Sequence, residues 1–120
     1  MSYLTESPTV FCDIDGVLLK HEIKTFTCEP GWQPRLLPGS KERLIEWRNK
    51  GYKIILTTGR PASRKDTEEQ LNQLGIPYDQ LVMDVGAGIR VLINDRKPDG
   101  TPTAFLYNPE RNQGLEEYIL

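Results

Sequence analysis

Residues 52–58 form a nearly continuous apolar run, with Ile54, Ile55 and Leu56 at its centre, and lead into Thr57-Thr58-Gly59-Arg60. So short and apolar a run fits a strand covered on both faces, as strands in parallel sheets are. Parallel neighbours require crossover connections, usually helical. The flanking sequence supplies them. Pro38-Gly39-Ser40 reads as the start of a helix, with Ser40 as N-cap and Glu42 as a first-turn acid. Leu44, Ile45 and Trp47 continue the helical pattern, and Gly51 closes it. A second helix is expected over residues 62–74, ended by Gly75. Further strands are expected at residues 9–13, 81–85 and 90–94. A last strand is expected at residues 103–107, before a short helical piece ending at Leu120. Strands alternating with helices predict an α/β fold with a three-layer, Rossmann-like parallel sheet.

The chemistry gathers where these runs end. Val10-Phe11-Cys12-Asp13-Ile14-Asp15-Gly16 places two carboxylates one residue apart at the end of an apolar strand. Residues i and i+2 of a strand project to one face, and Gly16 lets the backbone turn away at once. Adjacent carboxylates repel, so such a pair calls for a cation, a shared proton or a division of roles. A metal-assisted displacement in which one Asp attacks and the other moves a proton meets that need. Two more apolar runs end in Thr58-Gly59-Arg60 and in Asn94-Asp95. In open α/β sheets the site lies at the carboxyl ends of the strands, where all three would meet.

Composition narrows the class. The 120 residues suffice for one domain with a modest core, and the expected organisation is a single domain over 1–120. A net charge of −2 and a pI near 5.4 argue against a general nucleic-acid binder. No apolar stretch approaches the roughly 18 residues of a membrane span, and the N-terminus lacks a signal-peptide pattern, so no membrane association and a cytoplasmic location are expected. Cys12 and Cys28 make no disulfide framework, and with His21 they do not form a zinc ligand set of usual spacing. Cys12 reads as a small buried strand residue.

Asp13-Ile-Asp15-Gly-Val, the Thr58 that ends Ile-Ile-Leu-Thr-Thr, and Asp95 in Val-Leu-Ile-Asn-Asp resemble the first, second and fourth motifs of the haloacid dehalogenase (HAD) superfamily of phosphotransferases. The resemblance runs from about Thr9 to Tyr107. It implies a phosphomonoester hydrolase in which Asp13 attacks phosphorus and Asp15 protonates the leaving oxygen, then activates water. It implies Mg2+ held by the Asp13 carboxylate, the Asp15 carbonyl and Asp95. Thr58 and the Gly59 N–H would bind phosphate oxygens. The second Asp favours phosphate ester hydrolysis over dehalogenation. The basic residue of the third motif is left between Arg90 and Lys65, with Arg64 and Lys97 as outsiders. Asn94 and Asp99 could contribute around the metal.

About 45 residues separate Asp13 from Thr58, and the helix at Ser40 uses part of them. What remains is a flap over about residues 18–37, so the domain is expected to lack a cap and to have an open site. Such a site would be covered by a large substrate or by another subunit of a homo-oligomer. The flap carries His21, Lys24, Phe26, Trp32 and Arg35. Arg60 could reach substrate or pair with a carboxylate, and the substrate role is favoured. Thr-Thr-Gly-Arg-Pro, Leu-Ile-Asn-Asp-Arg-Lys-Pro and Asn-Pro-Glu-Arg-Asn-Gln-Gly-Leu are similar to segments of small bacterial proteins of surface-polysaccharide or sugar-phosphate metabolism. The expected partner is thus a small phosphate ester, most simply a sugar phosphate, with nucleic acid disfavoured. The alternatives are a phosphatase of a nucleic-acid end or phosphoprotein, and a non-catalytic phospholigand-binding module.

Overall fold

The computed structural model describes residues 6–120; most of the lead-in expected at residues 1–7 lies outside them. The elements run β1 (Thr9–Asp13), α1 (Ile23–Phe26), α2 (Ser40–Asn49), β2 (Lys53–Thr57), α3 (Arg64–Gln73) and β3 (Gln80–Val82). The strands form a parallel sheet in the order β1-β2-β3. It is a small α/β domain, compatible with a Rossmann-like fold. Asp13 pairs in register with Thr57, and Thr57 with Val82, so the three strands end at one level. Their carboxyl ends therefore release Asp15, Thr58-Gly59-Arg60 and the 83–88 loop at the same edge of the sheet.

The two long helices begin and end by different local devices. At α3, Ser63 is the N-cap and its hydroxyl accepts from the Asp66 N–H at 3.1 Å. At α2 the capping residue is Gly39, at φ +72, not Ser40. Ser40 is the first helical residue, and its buried hydroxyl lies 2.9 Å from the carbonyls of Leu18 and Leu37. The hydroxyl thereby ties the flap to the helix, a tertiary use that outcompetes capping. Gly51 and Gly75 follow their helices at φ +87 and +68, as expected of terminators.

The core gathers Ile14, Leu18, Leu44, Trp47, Ile54, Leu56 and Leu71 with Cys12, which burial pushes up to a pKa of about 12. Cys12 is thus an inert packing residue, as its sequence position implied. Leu71 is fully buried. Leu71→Ala is expected to cost about 2–5 kcal/mol, read as a lowered urea midpoint with an unchanged slope.

The flap is pinned at its ends. The Lys20 N–H donates to Arg35 O and the Leu37 N–H to Leu18 O, both at 2.9 Å. Within it, Lys24 Nζ sits 5.3 Å from the centroid of the Trp32 ring and His21 stacks obliquely on Phe26.

Two expected strands are absent. Residues 90–94 pair with no strand, and Val91, Leu92 and Ile93 are 79%, 64% and 91% exposed. Residues 103–107 likewise form none, and the C-terminal piece is a series of turns, not a helix. A β-branched run makes a strand only with a partner to pair and pack against. Here the chain from Gly88 to Thr103 folds on itself instead, with Asn94 Nδ2 donating to Thr103 O and the Thr103 hydroxyl to Asp95 O.

Candidate active site

Asp13 and Asp15 stand at the end of β1, where the strand gives way to the turn at Gly16, at φ +89. Asp13 is exposed as a residue, yet protein around its carboxyl raises its pKa by desolvation. The Arg90 guanidinium opposes that rise, Asp15 adds to it, and the Ile14 N–H and His21 oppose it more weakly. Of the two candidates for the basic residue, the structure brings Arg90 to bear on Asp13. Arg90 is itself steered by its Nη1, which donates to Gly88 O at 2.6 Å. Lys65 stands exposed on the first turn of α3 and makes no ion pair among the described residues.

Thr58 is buried, and both of its backbone polar groups are held by the end of β3 and the loop that follows it. Its N–H donates to Val82 O at 3.0 Å and its carbonyl accepts from the Val85 N–H at 3.1 Å. Its hydroxyl oxygen accepts from the Arg60 N–H at 3.1 Å. The hydroxyl hydrogen and the Gly59 N–H find no acceptor among the described residues, so both remain available to an anion. Gly59 has no room for a side chain: a Cβ there would lie 2.5 Å from the Gly86 carbonyl oxygen.

Arg60 differs from the sequence expectation. Its side chain is 0% exposed and clamps Asp15 (11% exposed) with a two-pronged ion pair, Nε to Oδ2 at 3.0 Å and Nη2 to Oδ1 at 2.5 Å. A guanidinium enclosed this way is not presented to substrate; of the two roles open to it, the structure shows the carboxylate pair. Its Nη1 donates to Gln70 Oε1 at 2.8 Å and approaches Cys28 Sγ at 3.6 Å. Gln70 was not legible as a site residue, because a glutamine on a helix face carries no signal until its partner is known. Asn112 was missed likewise. Its Oδ1 accepts from the His21 N–H at 2.7 Å and its N–H donates to Gly16 O at 2.8 Å, so the C-terminal turn buttresses the Asp15-Gly16 bend.

The expected metal set is not assembled. Among the described residues no three His, Cys, Asp or Glu side chains gather to hold an ion. Asp95 lies on the exposed 88–100 segment, Asp99 is exposed at its tip and Asn94 bonds to Thr103. The Asp15 carboxylate is committed to Arg60, but the ligand that the resemblance implies at this position is the main-chain carbonyl. Magnesium usually keeps several waters and takes only one or two carboxylates, so Asp13 and the Asp15 main-chain carbonyl at the end of β1 would be the residues to hold it, without Asp95.

No protein-family model matches the chain, and no curated protein matches it at a significant level. Solved structures do. One chain of a Pnkp1/Rnl/Hen1 complex is 32% identical over 66% of this chain and 28% of its own length, with a TM-score of 0.54. A chain of the Pnkp1/Rnl/Hen1 RNA repair complex is 33% identical over 64% of this chain and 25% of its own, with a TM-score of 0.52. The present chain thus spans about a quarter of the length of each. A structural-genomics target from Vibrio cholerae matches over 84% of this chain and 91% of its own at 16% identity and a TM-score of 0.57, a likeness of fold alone. No helix among the described residues is long and apolar enough to cross a membrane.

Proposed function

We propose that the protein is a phosphomonoester hydrolase of the HAD type that works through an aspartyl-phosphate on Asp13. The observation that carries this reading is the juxtaposition, at one edge of a parallel sheet, of a carboxylate opposed by Arg90, a second carboxylate fixed beside it, and the Thr58-Gly59 turn with free donors. Asp13 is the nucleophile: its oxygen bonds to phosphorus as the ester oxygen leaves with a proton from Asp15. Asp15, now a carboxylate, takes a proton from the water that attacks phosphorus. The bond to Asp13 breaks and orthophosphate departs. Thr58 and Gly59 hold the non-bridging oxygens, and Arg90 offsets their charge. Magnesium dependence belongs to the proposal as the charge-neutralising cation that phosphoryl transfer calls for.

The substrate proposed first is a sugar phosphate or similar small metabolite, reached across an open, capless site. A second reading has its own support: the likeness at 32–33% identity to chains of an RNA repair complex favours a phosphate at a nucleic-acid end. The discriminating experiment is orthophosphate release across sugar phosphates, nucleotides and 3′- or 5′-phosphorylated oligoribonucleotides, each with magnesium and with EDTA. The first reading expects the highest kcat/KM on a sugar phosphate, abolished by EDTA. A preference for oligonucleotide ends by tenfold or more establishes the second. No release from any substrate by folded protein contradicts both.

A further inference from the structure

Asp15 must hold one orientation while its proton comes and goes, and nothing in the Asp13-Asp15 motif itself supplies that constraint. The structure assigns it to Arg60: we propose that Arg60 is a positioning residue that fixes the Asp15 carboxylate, and that Gln70 holds Arg60 in place while tying it to the flap. The proposal rests on the phosphohydrolase reading above.

Three observations carry it. The ion pair uses both Asp15 oxygens against Nε and Nη2 on one side of the guanidinium, which sets the plane of the carboxylate and its rotation, not only its distance. Each oxygen keeps lone-pair capacity for a proton or water, because a carboxylate offers about four acceptor positions and the fork takes two. The Arg60 side chain is fully enclosed, so it acts on substrate only through Asp15. Its third nitrogen is held in turn. Gln70, 8% exposed, accepts from Arg60 Nη1 and donates from Nε2 to Thr25 O at 3.0 Å in α1. The fully buried Thr25 receives the Trp32 indole N–H on its hydroxyl at 2.9 Å. Hydrogen bonds therefore link Asp15 through Arg60 and Gln70 to the Thr25 backbone, and the Thr25 hydroxyl in turn holds the Trp32 indole of the flap. Loss of the fork frees Asp15 to rotate and leaves both covalent steps without a placed proton carrier.

The test is Arg60→Gln beside Arg60→Lys, which keeps the charge and loses the fork, with Asp13→Asn as control. Each is assayed on an alkyl phosphate and on p-nitrophenyl phosphate, whose leaving group needs no proton. Thermal melts establish that each variant is folded. For Arg60→Gln, kcat on the alkyl phosphate is expected to fall about 10²-fold with KM unchanged or lower, since a placed acid–base is worth about 10²–10⁴-fold. On p-nitrophenyl phosphate the expected loss is smaller, and acid-quenched enzyme should carry more covalent phosphate than wild type, because dephosphorylation still needs Asp15. Arg60→Lys should recover no more than about tenfold of the loss. Should Arg60→Gln fail to fold, Arg60→Lys alone shows the same pattern in weaker form.

A raised KM with kcat retained would overturn the proposal by placing Arg60 on substrate. Equal losses on both substrates with no phosphoenzyme accumulation would overturn it as well, as a merely structural role. Wild-type protein that releases no phosphate and takes up no label would instead overturn the phosphohydrolase reading, and the positioning role with it.

Discussion

Asp13→Asn is expected to lower phosphate release by at least about 10⁴-fold while leaving the protein folded. Loss of a nucleophile that forms the covalent intermediate has effects of that order. The fold should tolerate the change because the Asp13 charge is a burden there. Desolvation raises its pKa in the folded state, with Asp15 adding to the rise. A carboxyl whose folded pKa exceeds its unfolded value binds more protons folded than unfolded between the two values. Stability therefore declines as pH rises from the ordinary carboxylate range through the raised folded value, and the full penalty persists at neutral pH. An uncharged Asn avoids it. The melting temperature of Asp13→Asn at pH 7 should equal or exceed that of wild type, and its advantage should shrink as the buffer is taken down towards pH 4. A variant that melts well below wild type at pH 7 would contradict the electrostatic account of this strand end.

Gly59→Ala should damage the fold and the site together. The Cβ it adds would lie 2.5 Å from the Gly86 carbonyl oxygen and 2.9 Å from the Gly86 carbonyl carbon. Both are backbone atoms, so no side-chain rotation relieves the clash. Either the Thr58-Gly59 turn or the 83–88 loop must shift, at about 1–3 kcal/mol, the usual cost of overpacking. The same shift strains the Val85 N–H to Thr58 carbonyl bond at 3.1 Å and moves the two donors proposed to hold phosphate. Melting should fall by several degrees, and kcat/KM by more than the folded fraction alone explains. Wild-type melting and activity in this variant would mean that the two loops are not in contact as described.

Wherever apolar patterning coincides with local pairing, the architecture is legible in the residues. β1 and β2 lie where their hydrophobic runs predict, because each is built from side chains that the core then buries, Cys12 in one and Ile54 with Leu56 in the other. The terminating glycines are legible for the same reason: positive φ is a local demand. What patterning misreads is pairing that depends on distant partners. Val91-Leu92-Ile93 has the composition of a strand, yet it remains exposed and pairs with no strand. Ser40 has the chemistry of a cap and spends it on Leu18 and Leu37 instead.

The site divides similarly. Asp13, Asp15, Thr58 and Gly59 lie at one edge of the sheet because strands in register end together, a consequence of topology that strand-end motifs carry. The partnership of Arg60 with Asp15 spans 45 residues and that of Gln70 with Thr25 another 45, and no spacing rule connects them. Asp95 shows the converse. Its motif reads as an acidic strand end, yet without a strand it is not delivered to the other carboxylates.

The most direct measurement is the site of covalent phosphate. Enzyme mixed with a substrate carrying labelled phosphate, quenched in acid and digested with trypsin should show hydroxylamine-labile label on the peptide ending at Lys20, which contains Asp13, and Asp13→Asn should show none. Steady hydrolysis with no label on that peptide, undiminished in Asp13→Asn, would contradict an aspartyl-phosphate on Asp13.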